Sequence, residues 1–137
     1  MQTIPDSNVV LDVIGRASSW VDWSSRQLSR CFETGGLVVN QVVYAEVASE
    51  LSSQSALDEV LQRLRIEIES VPFAACFLAG HVHRSYRMHG GKRERMLPDF
   101  MIGAHAVNRG YRILTRDASR YRCYFPEVEV IAPDSHP

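Results

Sequence analysis

Short apolar segments that lead directly into helical segments recur along this 137-residue chain. Gln2–Pro5 and Leu37–Val39 have the length and composition of buried strands, and Arg112–Leu114 is a third such segment. Between the first two, Ser18–Phe32 has the apolar spacing of a capped amphipathic helix. Strands that alternate with helices form a parallel sheet covered by the crossover helices. The alternation therefore predicts an α/β fold.

Four acidic residues lie near the predicted junctions between strands and helices. Asp6 directly follows the first apolar segment, and Asp117 lies just past the third. Glu46 falls in the second turn of a helix that Asn40 caps, and Asp99 lies in the first turn of another helix. Strand C-termini and helix N-termini share one edge of such a sheet. We therefore expect all four carboxylates at that edge.

Each of these acids has an ordinary structural explanation when it is taken singly. Asp6 and Asp117 are suited to caps or turns, the helix dipole favours Asp99, and Glu46 is a normal exposed helix residue. Convergence has a different consequence, since two unit charges about 5 Å apart repel by roughly 3 kcal/mol at an effective dielectric near 20. Such a cluster requires protonation or a divalent cation. Oxygen donors alone favour Mg²⁺ or Mn²⁺ over zinc.

Four longer stretches carry a more specific pattern. They are Ile4-Pro5-Asp6-Ser7-Asn8-Val9-Val10-Leu11-Asp12, then Leu97-Pro98-Asp99-Phe100-Met101-Ile102-Gly103-Ala104-His105-Ala106, then Gly110-Tyr111-Arg112-Ile113-Leu114-Thr115-Arg116-Asp117, then Val128-Glu129-Val130-Ile131-Ala132-Pro133. Together they resemble the PIN domain family, and within it the VapC-type toxins of bacterial and archaeal toxin–antitoxin pairs. The resemblance spans nearly the whole chain. It implies a PIN-like three-layer α/β/α sandwich with a central, mostly parallel sheet of four to five strands, with residues 1–137 forming a single nuclease domain.

The resemblance also implies an activity and partners. Asp6, Glu46, Asp99 and Asp117 match the catalytic acidic quartet of the family, with Asp6 and Asp99 as the expected ligands of Mg²⁺ or Mn²⁺. The implied activity is that of a metal-dependent endoribonuclease, the toxin of a type II toxin–antitoxin pair. Its implied partners are the RNA substrate, a cognate antitoxin and a second copy of the chain.

Polar residues beside the quartet are expected to support it. Ser7, Asn8 and Thr115 are suited to orienting water or carboxylates, and Arg116 or Arg120 to holding a phosphate.

The net charge of −1 conceals a strong asymmetry along the chain. Residues 84–122 contain ten Lys and Arg and three acids, a net charge of +7, whereas residues 1–83 have a net charge of −5. Since Asp99 and Asp117 are two of the three acids in the basic block, metal binding leaves that side more positive still. This distribution suits a polyanionic substrate such as RNA. The basic loop Gly90–Arg95 is expected to contact it.

Other classes of protein fit the sequence less well. Asp6-Ser7-Asn8 lacks the second Asp of Asp-x-Asp phosphatases, and the single lysine, Lys92, fits a response-regulator receiver poorly. With no apolar run of 18 residues and no signal-like start, we expect a cytoplasmic protein without a membrane span. The main alternative is a PIN-like module that binds RNA or an antitoxin without catalytic turnover. Packed anions give no advantage to a module that only binds, and dependence on a divalent metal separates the two hypotheses.

Overall fold

The computed structural model describes residues 1–15, 17–91 and 96–137. Within these ranges five strands form one parallel sheet in the order β3-β2-β1-β4-β5. The strands are β1 (Thr3–Pro5), β2 (Leu37–Val39), β3 (Ile66–Ile68), β4 (Arg112–Leu114) and β5 (Val130–Ile131). The predicted parallel α/β architecture is therefore confirmed, and the sheet is parallel throughout.

Seven helices connect the strands in the described ranges. They are α1 (Ser7–Val13), α2 (Val21–Glu33), α3 (Gln41–Ala48), α4 (Gln54–Arg63), α5 (Phe73–Met88), α6 (Leu97–Arg109) and α7 (Ser119–Tyr124). The first two crossovers step from β1 towards β3, whereas the last two step towards β5. Because parallel crossovers are right-handed, α1–α4 and α5–α7 cover opposite faces of the sheet, which gives three layers.

β1 lies in the middle of the sheet and is buried along its whole length. Its last residue, Pro5, pairs with Leu114 of β4, and the N–H of Asp6 then donates to the Leu114 carbonyl at 2.8 Å. A proline at this point removes one backbone donor only at the end of the strand. The order of strands changes direction between β1 and β4, which is where open parallel sheets form their ligand crevice. Asp6 and the residues after β4 border that crevice.

The helix boundaries follow local chemistry. The side chain of Asn40 caps α3 as predicted, accepting from the N–H groups of Val42 and Val43 at 3.0 and 3.2 Å. α6 ends at Arg109, and Gly110 caps it in the left-handed conformation with φ of 71°. α2 begins at Val21 and not at the predicted Ser18, whose hydroxyl accepts from the N–H of Trp20 at 3.0 Å and forms a turn instead.

Two further expectations from the sequence concern the RNA-contacting loop and the absence of a membrane span. Four of the six residues of the predicted RNA-contacting loop, 92–95, lie outside the described ranges. No helix within them combines the length and the apolar character that crossing a membrane requires.

Candidate active site

A cavity of about 180 Å³ opens at the edge of the sheet where the strands end. Its described lining consists of Asp6, Ser7, Asn8, Glu46, Asp99, Asp117, Arg120 and Tyr121. The structure thus brings the four acids of the predicted quartet to one cavity. A larger cleft of about 750 Å³ runs beside β3, but it contains none of these acids, and we place the functional site in the smaller cavity.

Asp6 is the most deeply placed of the four acids, with 7% of its surface exposed. It caps α1, and its Oδ1 accepts from the N–H of Ser7 at 2.8 Å. Its Oδ2 accepts from the hydroxyls of Thr115 and Tyr121 at 3.1 and 3.2 Å. Burial raises the pKa of Asp6, and the charge of Asp99 raises it further. Three donors thus hold an acid whose charged form is disfavoured by its surroundings.

Thr115 connects the end of β4 to the acids. Its buried hydroxyl also accepts from the side-chain amide of Asn8 at 3.3 Å and from the N–H of Asp117 at 3.1 Å. The side-chain oxygen of Asn8, Oδ1, in turn accepts from the backbone N–H of Arg116 at 3.2 Å. The predicted supporting residues Asn8 and Thr115 therefore form one network that fixes both Asp6 and the loop carrying Asp117.

Glu46 and Asp99 face Asp6 from two different helices. Burial raises the pKa of Glu46, the charges of Asp6 and Asp99 add to this, and the Ser7 hydroxyl opposes it. Burial also raises the pKa of Asp99, although its carboxylate forms an ion pair with Arg120 and the pair opposes that shift. These mutual effects are the electrostatic signature of carboxylates that share one site.

Asp117 occupies the solvent side of the cavity. Its side chain is exposed, and its Oδ1 accepts from the Ser119 hydroxyl at 3.2 Å. Its charge contributes to the raised pKa of Asp99, so it belongs electrostatically to the same cluster.

Arg116 is directed at an acid that we did not single out from the sequence. Its Nε and Nη2 atoms donate to the two carboxylate oxygens of Asp12 at 2.8 and 3.1 Å, and its guanidinium lies 5.6 Å from the Trp20 ring centre. Asp12 is 1% exposed and also accepts from the hydroxyls of Ser18 and Ser24 at 2.8 and 2.7 Å. The guanidinium of Arg116, predicted to hold a phosphate, is therefore paired with Asp12, and Arg116 is not among the described residues that line the acidic cavity.

Tyr121 is the second residue that sequence reasoning missed. It is 2% exposed, and its hydroxyl contacts the carboxylate at the centre of the cluster. Burial raises its pKa well above the usual value, and the charge of Asp6 adds to this, so the phenol stays protonated as a donor. The sequence offered no local signal for Tyr121, because its contact with Asp6 joins segments that are 115 residues apart.

The donor set fits a hard divalent cation. The acids that line the cavity offer carboxylate oxygens, the ligand type that Mg²⁺ and Mn²⁺ prefer. Within the described residues, however, no three His, Cys, Asp or Glu side chains are already arranged to hold a metal ion. The Asp99 carboxylate instead faces Arg120. The cluster therefore has the right chemistry in an arrangement that is not yet that of a metal site.

Comparison with known proteins places this geometry in a family. Residues 3–126 match the PIN domain family. A search of curated protein sequences found no match. Among solved structures, the chain resembles one in VapBC2 from Rickettsia felis bound to a promoter DNA fragment, with a TM-score of 0.73, 16% identity, and coverage of 96% of this chain and 98% of that one.

Two further solved structures share the fold. A chain of FitAcB from Neisseria gonorrhoeae matches with a TM-score of 0.67 and 16% identity, covering 99% of this chain and 100% of that one. A chain of a toxin–antitoxin complex from Klebsiella pneumoniae matches with a TM-score of 0.65 and 16% identity, covering 96% and 98%. With the family match over most of its length, the chain belongs to the PIN domain family.

Proposed function

We propose that this protein is a metal-dependent endoribonuclease that hydrolyses RNA phosphodiester bonds and acts as the toxin of a type II toxin–antitoxin pair. The observation that supports it most is the meeting of Asp6, Glu46, Asp99 and Asp117 at one cavity in a PIN domain. Three of these acids have raised pKa values through burial and through one another's charge, as expected of groups gathered for chemistry.

In this proposal Asp6 and Asp99 hold Mg²⁺ or Mn²⁺, and Glu46 and Asp117 complete the site. The ion, when bound, offsets the negative charge of the acids and of the phosphoryl oxygens. Thr115 and Tyr121 supply the donors that keep the Asp6 carboxylate in one orientation.

The substrate class follows from charge and from the family. The basic block at residues 84–122 includes Arg120, which lines the cavity, and a positive surface beside an acidic site attracts a polyanion. Hydrolysis at such a site is expected to leave a 5′-phosphate and a 3′-hydroxyl. Which RNA is cut depends on shape and loop contacts.

The test compares two variants in the cavity with one matched variant outside it. Asp6→Asn and Asp99→Asn are expected to lower RNA cleavage in Mg²⁺ or Mn²⁺ at least about 100-fold, since even supporting groups of metal ligands contribute 10- to 100-fold. Asp22→Asn alters a first-turn acid of α2 that lies outside the cavity, and it should keep wild-type activity. Full cleavage by both cavity variants would contradict the proposal.

The same assay decides between the nuclease and the module that binds without turnover. Cleavage that stops on addition of a chelator and returns with Mn²⁺ supports the nuclease. Binding of RNA without any divalent-dependent turnover supports the alternative.

The toxin role requires a test in cells. Induced expression should arrest growth, the Asp6→Asn form should not, and coexpression of the protein encoded next to it should restore growth if that protein is the antitoxin. The solved structures that share the fold include toxin–antitoxin complexes, which supports this part of the proposal. Since cellular RNA is the proposed substrate, we also propose a cytoplasmic location.

We further propose that the protein forms a homodimer through α5. The exposed face of its first two turns is apolar, with Phe73 and Phe77 exposed by 93% and 70%. The next residue on this stripe is His81, whose ring centre lies 4.4 Å from that of Phe77. Monomers rarely expose such a face, and an uncharged patch can pair with its own copy across a twofold axis.

A further inference from the structure

Arg120 is the only cation among the described residues that line the acidic cavity. It is carried by α7, and its Nη1 contacts Oδ2 of Asp99, one of the two proposed metal ligands. This step rests on the proposed function: Arg120 occupies a carboxylate oxygen that would otherwise be available to the metal.

The contact is built differently from two neighbouring arginine pairs. Arg116 donates hydrogen bonds to both oxygens of the buried Asp12, and Arg122 donates to both oxygens of Asp134 at 2.6 and 2.9 Å. Arg120 meets Asp99 through one nitrogen, and 44% of its side chain is exposed. A partly exposed pair joined at one point is held weakly and exchanges partners at small cost.

The arrangement of the acids points the same way. No three metal-binding side chains of the described residues are set up to hold an ion, although four acids line one cavity. Arg120 holds Oδ2 of Asp99, so a cation that takes this oxygen must displace the guanidinium. The guanidinium then becomes available beside the cavity, where a phosphate oxygen is the natural partner of an arginine.

We propose that Arg120 is a competing cation: it occupies Asp99 in the metal-free protein, is displaced when a divalent cation binds, and then holds a phosphate of the RNA. Because of these two roles, removal of Arg120 should change metal affinity and RNA affinity in opposite directions. Removal of Arg120 takes a positive charge from the acidic cluster, so a divalent cation binds more tightly. The same removal takes a charged partner from the RNA, so the substrate binds more weakly.

The experiment measures Mn²⁺ binding to the metal-free full chain by calorimetry, which requires no catalytic activity. Arg120→Gln is expected to tighten Mn²⁺ binding about three- to fivefold, the range of a partly exposed ion pair. Arg120→Lys restores the charge and should return the affinity close to the wild-type value. Arg122→Gln removes an equivalent charge from the same helix outside the cavity and should leave Mn²⁺ affinity unchanged. In the cleavage assay, Arg120→Gln should raise the KM for RNA.

The outcomes separate this inference from the proposed function. If the wild-type protein binds no Mn²⁺, both fail. If it binds Mn²⁺ and Arg120→Gln binds it equally or more weakly, Arg120 does not compete for Asp99, while the nuclease proposal stands. An equal tightening in Arg122→Gln would show a general charge effect and would also overturn the role of Arg120.

Discussion

At the scale of single residues, Asp6 depends on donors that come from distant parts of the chain. Thr115 and Tyr121 follow it by 109 and 115 residues, and both donate to the same oxygen. A buried carboxylate that loses a donor bears a desolvation cost that no solvent offsets. The neighbouring Ser7 N–H holds one oxygen of the proposed metal ligand, and donors from far along the chain hold the other.

Tyr121→Phe tests this dependence, because it removes one hydroxyl and keeps the ring in the core. We expect the metal-free variant to lose about 1 kcal/mol in free energy of unfolding at pH 7, measured by urea titration. The hydroxyl stabilises the charged carboxylate, so this loss should shrink as the pH falls through the raised pKa of Asp6. Tyr44→Phe removes a hydroxyl that donates to Asp58 at 2.8 Å from a half-buried position on α3, and its effect should be smaller. Equal losses in the two variants would contradict the special position of Tyr121.

At the scale of elements, a buried histidine ties α6 to the start of α3, the helix that carries Glu46. The side-chain oxygen of Asn40 caps α3, so its amide nitrogen faces Nδ1 of His105 at 3.1 Å. Nδ1 must therefore accept, and the proton lies on Nε2, which donates to Glu69 at 2.6 Å. Tyr111 donates to the other oxygen of Glu69 at 2.9 Å. This chain of contacts requires a neutral imidazole.

The neutral ring predicts a pH dependence of stability. Burial lowers the pKa of His105. Glu69 acts against this by raising the pKa, whereas the charge of Arg109 lowers it further. As the pH falls below about 6.5, the unfolded chain binds a proton that the folded chain does not, so stability present above that value is lost below it. His105→Gln keeps a donor to Glu69 and should cost about 1 kcal/mol at pH 7.5. Its free energy of unfolding should then fall less than that of the wild type between pH 7 and pH 5.

The control for this titration is His89→Gln, which alters an exposed histidine at the end of α5. It should keep the wild-type slope of stability against pH. If His105→Gln loses stability towards acid pH as steeply as the wild type, the neutral-ring assignment is wrong.

The elements also show which parts of the site are readable from sequence. Asp6 and Asp99 were placed correctly at a strand end and a first helical turn because apolar runs and caps are local signals. β3 lacked such a signal: it has three residues, two of them exposed, and follows Arg65 in a left-handed conformation with φ of 57°. The partners of Tyr121, His105 and Asp12 were not predicted, since each pairing depends on packing between segments far apart in the chain.

At the scale of the whole molecule, the proposed dimer gives a direct prediction. Phe77→Glu places a charge in the apolar face of α5, and we expect it to convert a dimer of 15.5 kDa chains into monomers in light scattering after size-exclusion chromatography. Val21→Glu alters another exposed apolar residue, on α2, and should leave the mass unchanged. A wild-type protein that is already monomeric, or a Phe77→Glu protein that stays dimeric, would rule out this face.

That residues 1–137 form one nuclease domain stays a prediction. A single cooperative unfolding transition, coincident by fluorescence and circular dichroism, is the outcome expected of one domain.

The central position of β1 has a consequence for how the protein is made. β1 emerges from the ribosome well before its neighbour β4 and the donors Thr115 and Tyr121, which follow Asp6 by 109 and 115 residues. Pairing across so long a separation is slow and must wait until these later segments have been synthesised. A nascent polypeptide that lacks them cannot assemble the acidic cavity, so the proposed activity cannot appear before they are made.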